Sequence, residues 1–166
     1  PRWLASLHPL WQACIAIDLA SSSRGAGARS EALEILSAVP TVVDGRFLPI
    51  ESLRRIAVGT AYLAYGDHAT ALSHFRAVDH AALQPAHLSY SISADLFTAT
   101  CLKDTGDLEG ARTLGKTTFD RTMSANVSSM FERALETYVN LCERESDVLH
   151  ACDVTLDAYA RAGVAP

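Results

Sequence analysis

The chain has 166 residues, 49% of them hydrophobic and 20% charged, with a net charge of −5. That length suffices for one domain with a sizeable core, and the apolar content excludes a disordered chain. The acidic balance argues against a general nucleic-acid-binding surface, which needs a basic stripe. No apolar run approaches the ~20 residues of a membrane span and no signal peptide is present, so a cytoplasmic location away from the membrane is expected.

In chain order, Pro1–Leu7 is a short apolar lead-in, and the opening Pro1-Arg2-Trp3 without methionine suggests a domain excised from a longer protein. Pro9 suits the first turn of a helix, where its missing N–H would be unpaired anyway. Leu10 to about Ala20 then places Trp11, Ile15 and Leu19 on one stripe. Ser21–Gly27 ends that helix, Ser30 caps Glu31–Val39, and Pro40 stops it. Thr41–Leu48, with its Asp44-Gly45 turn dipeptide, reads as an irregular linker.

Pro49 opens a helix to Tyr65, and Gly66 can take the left-handed conformation that ends it. Asp67 then caps His68–Ala82 by accepting from its free N–H groups. After Pro85, a helix from His87 to about Thr105 is followed by a second one, capped by Asp107, to about Met123. Ser124–Ser128 is a polar break, after which Ser129–Glu145 and Asp147–Ala162 follow, with Gly163 at the expected C-terminal cap. The prediction is therefore all-α: eight helices in four antiparallel hairpins, at roughly 9–39, 49–82, 87–123 and 129–162, in one domain over 1–166.

The turn positions Gly27, Gly66, Gly106 and Ser146 recur at intervals of 39, 40 and 40 residues, the mark of a helical-repeat array. An alanine stands five residues after each: Ala32, Ala71, Ala111 and Ala151. A small side chain there lets paired helices cross at close range. Small residues also recur seven before the turns, at Ala20, Gly59 and Ala99, with Val139 a looser match. Gly59, Tyr62, Gly66, Asp67, Ala71 and Phe75 together resemble the tetratricopeptide-repeat family. The third repeat keeps Ala99, Gly106, Asp107 and Ala111 but has Gly115 at the aromatic position of Phe75. The fourth keeps Asp147 and Ala151 but has Ser146 for the turn glycine and Thr155 for the aromatic, and the first keeps only Gly27 and Ala32.

This resemblance implies a right-handed α-solenoid whose first helices line a concave groove. Its register implies groove residues at Leu53, Ile56, Ala57, Thr60, Leu63 and Ala64 in the second repeat. In the third it implies Ser93, Leu96, Phe97, Thr100, Lys103 and Asp104. In the fourth it implies Arg133, Glu136, Thr137, Asn140, Glu143 and Arg144. The peptide or partner-helix contacts are assigned to Phe97, Thr100, Lys103, Arg133, Glu136, Asn140 and Arg144. Asn140 is the most specific of these, since an amide can donate to and accept from a ligand backbone together. The family's clamp for a terminal carboxylate lacks its basic companions here and is not expected. The long, divergent repeat resembles those of bacterial signalling and transcription regulators.

Catalytic and cofactor signatures are missing. No two of the six histidines stand at i, i+4, and none pairs with a cysteine at metal-ligand spacing, so neither metal nor cofactor is expected. Gly25-Ala26-Gly27 lacks the third glycine and preceding strand of a dinucleotide site, and no phosphate loop or nucleophile elbow occurs. The four cysteines, Cys14, Cys101, Cys142 and Cys152, read as buried free thiols. Three functions are thus set in order. The first is a non-catalytic peptide-binding module, the sensor or interaction region of a regulator. The second is a self-assembly or oligomerisation scaffold, the groove filled by another copy of the chain or by further segments of the protein itself. The third is an enzyme, with His87, Asp95 and Arg133 as its best cleft.

Overall fold

The computed structural model describes Glu34 and residues 48–164. The first predicted hairpin at 9–39, nearly all of the following linker and the Ala20 and Ala32 positions lie outside the described residues. The chain divides into two compact units, 1–87 and 88–166. All regular structure among the described residues is helical.

In the first unit, α1 (Leu48–Ala64) and α2 (His68–Arg76) pack together over Ile56, Val58, Ala61, Ala71 and Phe75. Gly66 joins them at φ 79°. Its N–H donates to Leu63 O, and the Asp67 N–H reaches back to Tyr62 O at 3.1 Å. These crossed bonds satisfy the carbonyls that a helix end leaves free. The Asp67 carboxylate then accepts from Thr70 N at 3.1 Å, capping α2. Gly59 gives the Phe75 ring its place: a Cβ on Gly59 would lie 2.6 Å from Phe75 Cε1.

The second helix of this pair is shorter than expected, ending at Arg76 rather than Ala82. Val78 turns into the core instead. The buried Ser52 hydroxyl then ties down Asp79, accepting from its N–H at 3.2 Å and donating to its carbonyl at 3.3 Å. The Asp79 carboxylate caps a 3-10 turn at Ala81–Leu83 through the N–H groups of Ala81 and Ala82.

The second unit comprises α3 (Leu88–Asp104), α4 (Leu108–Ser124), a 3-10 turn at Ser128–Met130, α5 (Phe131–Val139) and α6 (Glu145–Ala162). Gly106 repeats the Gly66 geometry at φ 95°, with bonds to Lys103 O and Leu102 O, and Asp107 caps α4 through Gly110 N at 2.9 Å. Asn126, at φ 55°, performs the same closure after α4, and Gly163 performs it after α6. Ala71, Ala99, Ala111 and Ala151 are fully buried, as expected of close-approach positions.

The core of this unit joins Ile92 and Leu96 of α3, Phe119 and Met123 of α4, Phe131 and Ala134 of α5, and Ala151 and Ala158 of α6. Phe119 stacks on Tyr138 at 5.0 Å, and Phe131 meets Tyr159 edge-on at 5.1 Å. Buried Thr98, Thr122 and Thr155 satisfy their hydroxyls on carbonyls one turn back. Asp95 of α3 takes a 2.7 Å ion pair from Arg121 of α4.

The turn between α5 and α6 departs from the expectation of a helix to Glu145 with a turn at Ser146 and a cap at Asp147. Helix α5 stops at Val139, and Ser146 and Asp147 lie inside α6. Arg144 precedes α6 in extended conformation, without a capping side-chain bond.

Two outcomes are expected. A Cβ on Gly106 would touch nothing within 4 Å, so Gly106→Ala tests backbone strain alone. It should lower stability by about 1–2 kcal/mol in urea titration, with an unchanged m-value. His74 stacks on Tyr62 at 5.7 Å. Burial lowers its pKa, and the charges of Arg54 and Arg55 add to that against a smaller opposing effect of Glu51. A lowered folded pKa means that the unfolded chain binds the proton more readily. The stability His74 contributes is therefore full above its ordinary value of 6.5 and is lost as pH falls below it. His74→Gln should flatten that part of the stability–pH curve.

Candidate functional site

A surface cleft of about 300 Å³ lies between α3 and α5. Leu96, Phe97, Thr100, Lys103 and Asp104 line it from α3, Arg133, Glu136 and Thr137 from α5, and Asn140 and Leu141 from the turn that follows. The contacts run in ascending order: Ser93 meets Met130 just before α5, Phe97 meets Arg133, and Lys103 meets Asn140 just after it. Polar side chains recur along the cleft at about one-turn intervals, Thr100 and Lys103 on one side and Arg133, Glu136 and Asn140 on the other.

At one end the Arg133 guanidinium lies over the Phe97 ring, 5.4 Å from its centre. The ring's negative face attracts the cation, while the N–H groups at the guanidinium edge stay available. Among the described residues Arg133 has no carboxylate partner, and the Glu136 carboxylate has no cation. In the middle, Thr100 donates to Leu96 O at 3.0 Å, which leaves its oxygen free to accept. At the far end Lys103 Nζ donates to Asn140 O at 3.3 Å, joining α3 to the end of α5. The floor is apolar, formed by Leu96 and Leu141, both buried.

Leu141 explains the early end of α5. Gly115, on α4, leaves a slot that the Leu141 side chain fills; a Cβ on Gly115 would lie 2.5 Å from Leu141 Cδ1. The chain leaves the helix to make this insertion. The Leu141 carbonyl is held by Arg112 Nε at 3.3 Å, and the Arg112 guanidinium also pairs with Glu143. Sequence reasoning missed Leu141, although the absent aromatic at Gly115 was a usable signal: a glycine where a large side chain is due leaves a space to be filled from elsewhere.

Six of the seven assigned residues, Phe97, Thr100, Lys103, Arg133, Glu136 and Asn140, therefore line one cleft. Arg144 does not. It borders a second cleft of about 440 Å³ with Arg112, Lys116, Tyr138, Cys142 and Asp147. The turn that inserts Leu141 separates it from Asn140. Of the other register positions expected in the groove, Leu96 lines the cleft from a buried place on its floor, whereas Ile56 in the first unit is core.

The candidate catalytic trio gains no support. Asp95 is engaged by Arg121 and does not line the cleft that holds Arg133. Burial pushes the Cys101 thiol up to about 11, with a further contribution from the charge of Asp104, so it is not a ready nucleophile. Burial also raises the Cys142 thiol, against a hydrogen bond from Tyr138 that favours the thiolate. Cys101, Cys142 and Cys152 are free, but only Cys101 is fully buried. Among the described residues no three metal-ligating side chains gather, and no helix is long and apolar enough to cross a membrane. Comparison with family models, curated proteins and solved structures finds no match for the chain.

The Gly115 slot can be tested directly. Gly115→Ala should cost about 1–3 kcal/mol by displacing Leu141. Adding Leu141→Ala should recover part of that loss, because the added methyl then occupies vacated space. A double-mutant cycle in denaturant measures the coupling, and strict additivity would mean that the two side chains do not share the site.

Proposed function

We propose that this chain is a non-catalytic binding module that holds a peptide or partner-protein segment in the cleft between α3 and α5. One observation carries the reading: residues chosen by repeat register alone come together on one cleft with an apolar floor and polar walls. Ligand sites commonly combine apolar surface with a few placed polar groups.

The same reading makes the helices antiparallel hairpins of a right-handed, tetratricopeptide-like α-solenoid. The repeated glycine–aspartate turns and the matched order of α3 and α5 support it. The module would serve as the sensor or interaction region of a cytoplasmic bacterial regulator, without cofactor or direct nucleic-acid contact.

The test is capture from a bacterial lysate on the immobilised chain, with mass spectrometry of bound proteins and peptides. Arg133→Ala and Asn140→Ala should each reduce a specific capture about tenfold. Arg144→Ala, in the other cleft, should leave it unchanged. Equal loss in all three, or no specific capture by the parent chain, would refute the cleft as the binding site.

A second reading, self-assembly, is favoured by Leu149 and Leu156, which stand two turns apart on α6 and are 59% and 55% exposed. Sedimentation analysis separates the two: a mass independent of concentration and equal to one chain excludes self-assembly.

A further inference from the structure

The cleft's charges specify more than a peptide in general. Arg133 and Glu136 stand three residues apart on α5, which separates their backbone origins by about 4.5 Å along the helix axis. Both are exposed, and neither has an opposite charge as partner among the described residues. The Arg133 guanidinium carbon stands 5.4 Å from the centre of the Phe97 ring. The guanidinium's paired N–H groups, which no carboxylate among the described residues engages, match a carboxylate in bidentate geometry. The adjacent Glu136 carboxylate only accepts, and so suits an ammonium or guanidinium.

The available space limits the ligand's form. A volume of about 300 Å³ suits two side chains and the short stretch of extended backbone joining them. In an extended chain, side chains on one face recur every second residue, about 6.6 Å apart. That spacing lies within reach of the flexible Arg133 and Glu136 side chains. Asn140, one turn beyond Glu136, can donate to and accept from the backbone of such a segment.

Charge complementarity selects among segments. A wholly acidic one would set like charge against Glu136 and Asp104, which line the same cleft. A wholly basic one would meet Arg133 and Lys103. Like-charge juxtaposition excludes wrong partners more strongly than a matched pair attracts the right one.

We infer that the cleft recognises an extended peptide segment carrying one acidic and one basic side chain two residues apart, the acid on Arg133 and the base on Glu136. This rests on the reading of the cleft as a peptide site. Since the segment could enter in either chain direction, the inference fixes the pairing of charges and not their order in sequence.

The probes are fluorescent pentapeptides with blocked termini, so that no terminal charge contributes. The positions two apart carry acid and base, two acids, two bases, or two alanines, with leucine between. Binding to the full chain is read by fluorescence polarisation. The mixed pair should bind about tenfold more tightly than either like-charged pair. Arg133→Glu should turn the preference to the two-base peptide, and Glu136→Arg to the two-acid peptide. A merely structural role for either residue would weaken all peptides alike.

A like-charged pair that binds the parent chain as well as the mixed pair would overturn the inference. So would a preference unmoved by both substitutions. In either case, a lysate capture abolished by Arg133→Ala would leave the cleft standing as a binding site. If no peptide binds and no capture depends on Arg133, the inference and the reading beneath it both fail.

Discussion

The glycine–aspartate turn is the constraint on which the rest of this structure depends. At Gly66 and Gly106 a left-handed backbone lets two crossed hydrogen bonds close one helix, and the next residue's carboxylate opens another. Stopping one helix and starting the next within three residues leaves little freedom in how the two can meet. They must cross close to the turn, and the residue that meets the neighbour there must be small. Ala71 and Ala111 fill that role at full burial. In the first pair the next aromatic along, Phe75, is then carried onto Gly59.

Where this device is absent, the chain finds another solution, and the candidate site depends on it. Ser146 carries a Cβ and does not take the left-handed conformation; it becomes part of α6. The reversal comes earlier, where Leu141 enters the slot left by Gly115. This exchange places Asn140 at the end of α5, where its carbonyl receives Lys103. It also divides the surface, with Asn140 on one cleft and Arg144 on the other. A helix continued to Glu145 would have kept Arg144 one turn beyond Asn140 on the same face. The degenerate repeat is thus the one whose irregularity shapes the cleft.

This contrast shows what was legible in the sequence. Left-handed glycines, capping aspartates and buried alanines are dictated by residues within a few positions of each other, and they could be read locally. The cleft residues could be read because a repeated register carries one helix face onto the next. Register gives direction around a helix but not depth, so Ile56 passed as a groove residue when it is core. Helix ends set by distant partners were not legible. Helix α2 ends where the chain turns to let Ser52 engage Asp79, and α5 where Leu141 meets Gly115, with partners 26–27 residues away in both cases. Nothing local marks either position.

The cleft also raises a question of energetics in a chain of net charge −5. Exposed ion pairs contribute little, about 0–1 kcal/mol each, because water screens them and long side chains lose freedom in forming them. Neither Arg133 nor Glu136 could therefore hold a ligand by charge alone. The larger attraction must come from apolar surface still exposed in the cleft, the half-buried Phe97 ring and the aliphatic stems of Arg133 and Glu136, where a ligand side chain displaces water at ~25 cal/mol per Å². That surface, however, accepts any apolar group of suitable size. Discrimination falls to the charged walls, and it operates chiefly through exclusion. A ligand that leaves Arg133 and Glu136 facing like charges loses more than a matched one gains. The Phe97 contact strengthens this selection, because a guanidinium already resting on a ring has less rotamer freedom to surrender when a carboxylate arrives. Affinity and specificity are thereby assigned to different atoms of one small cleft.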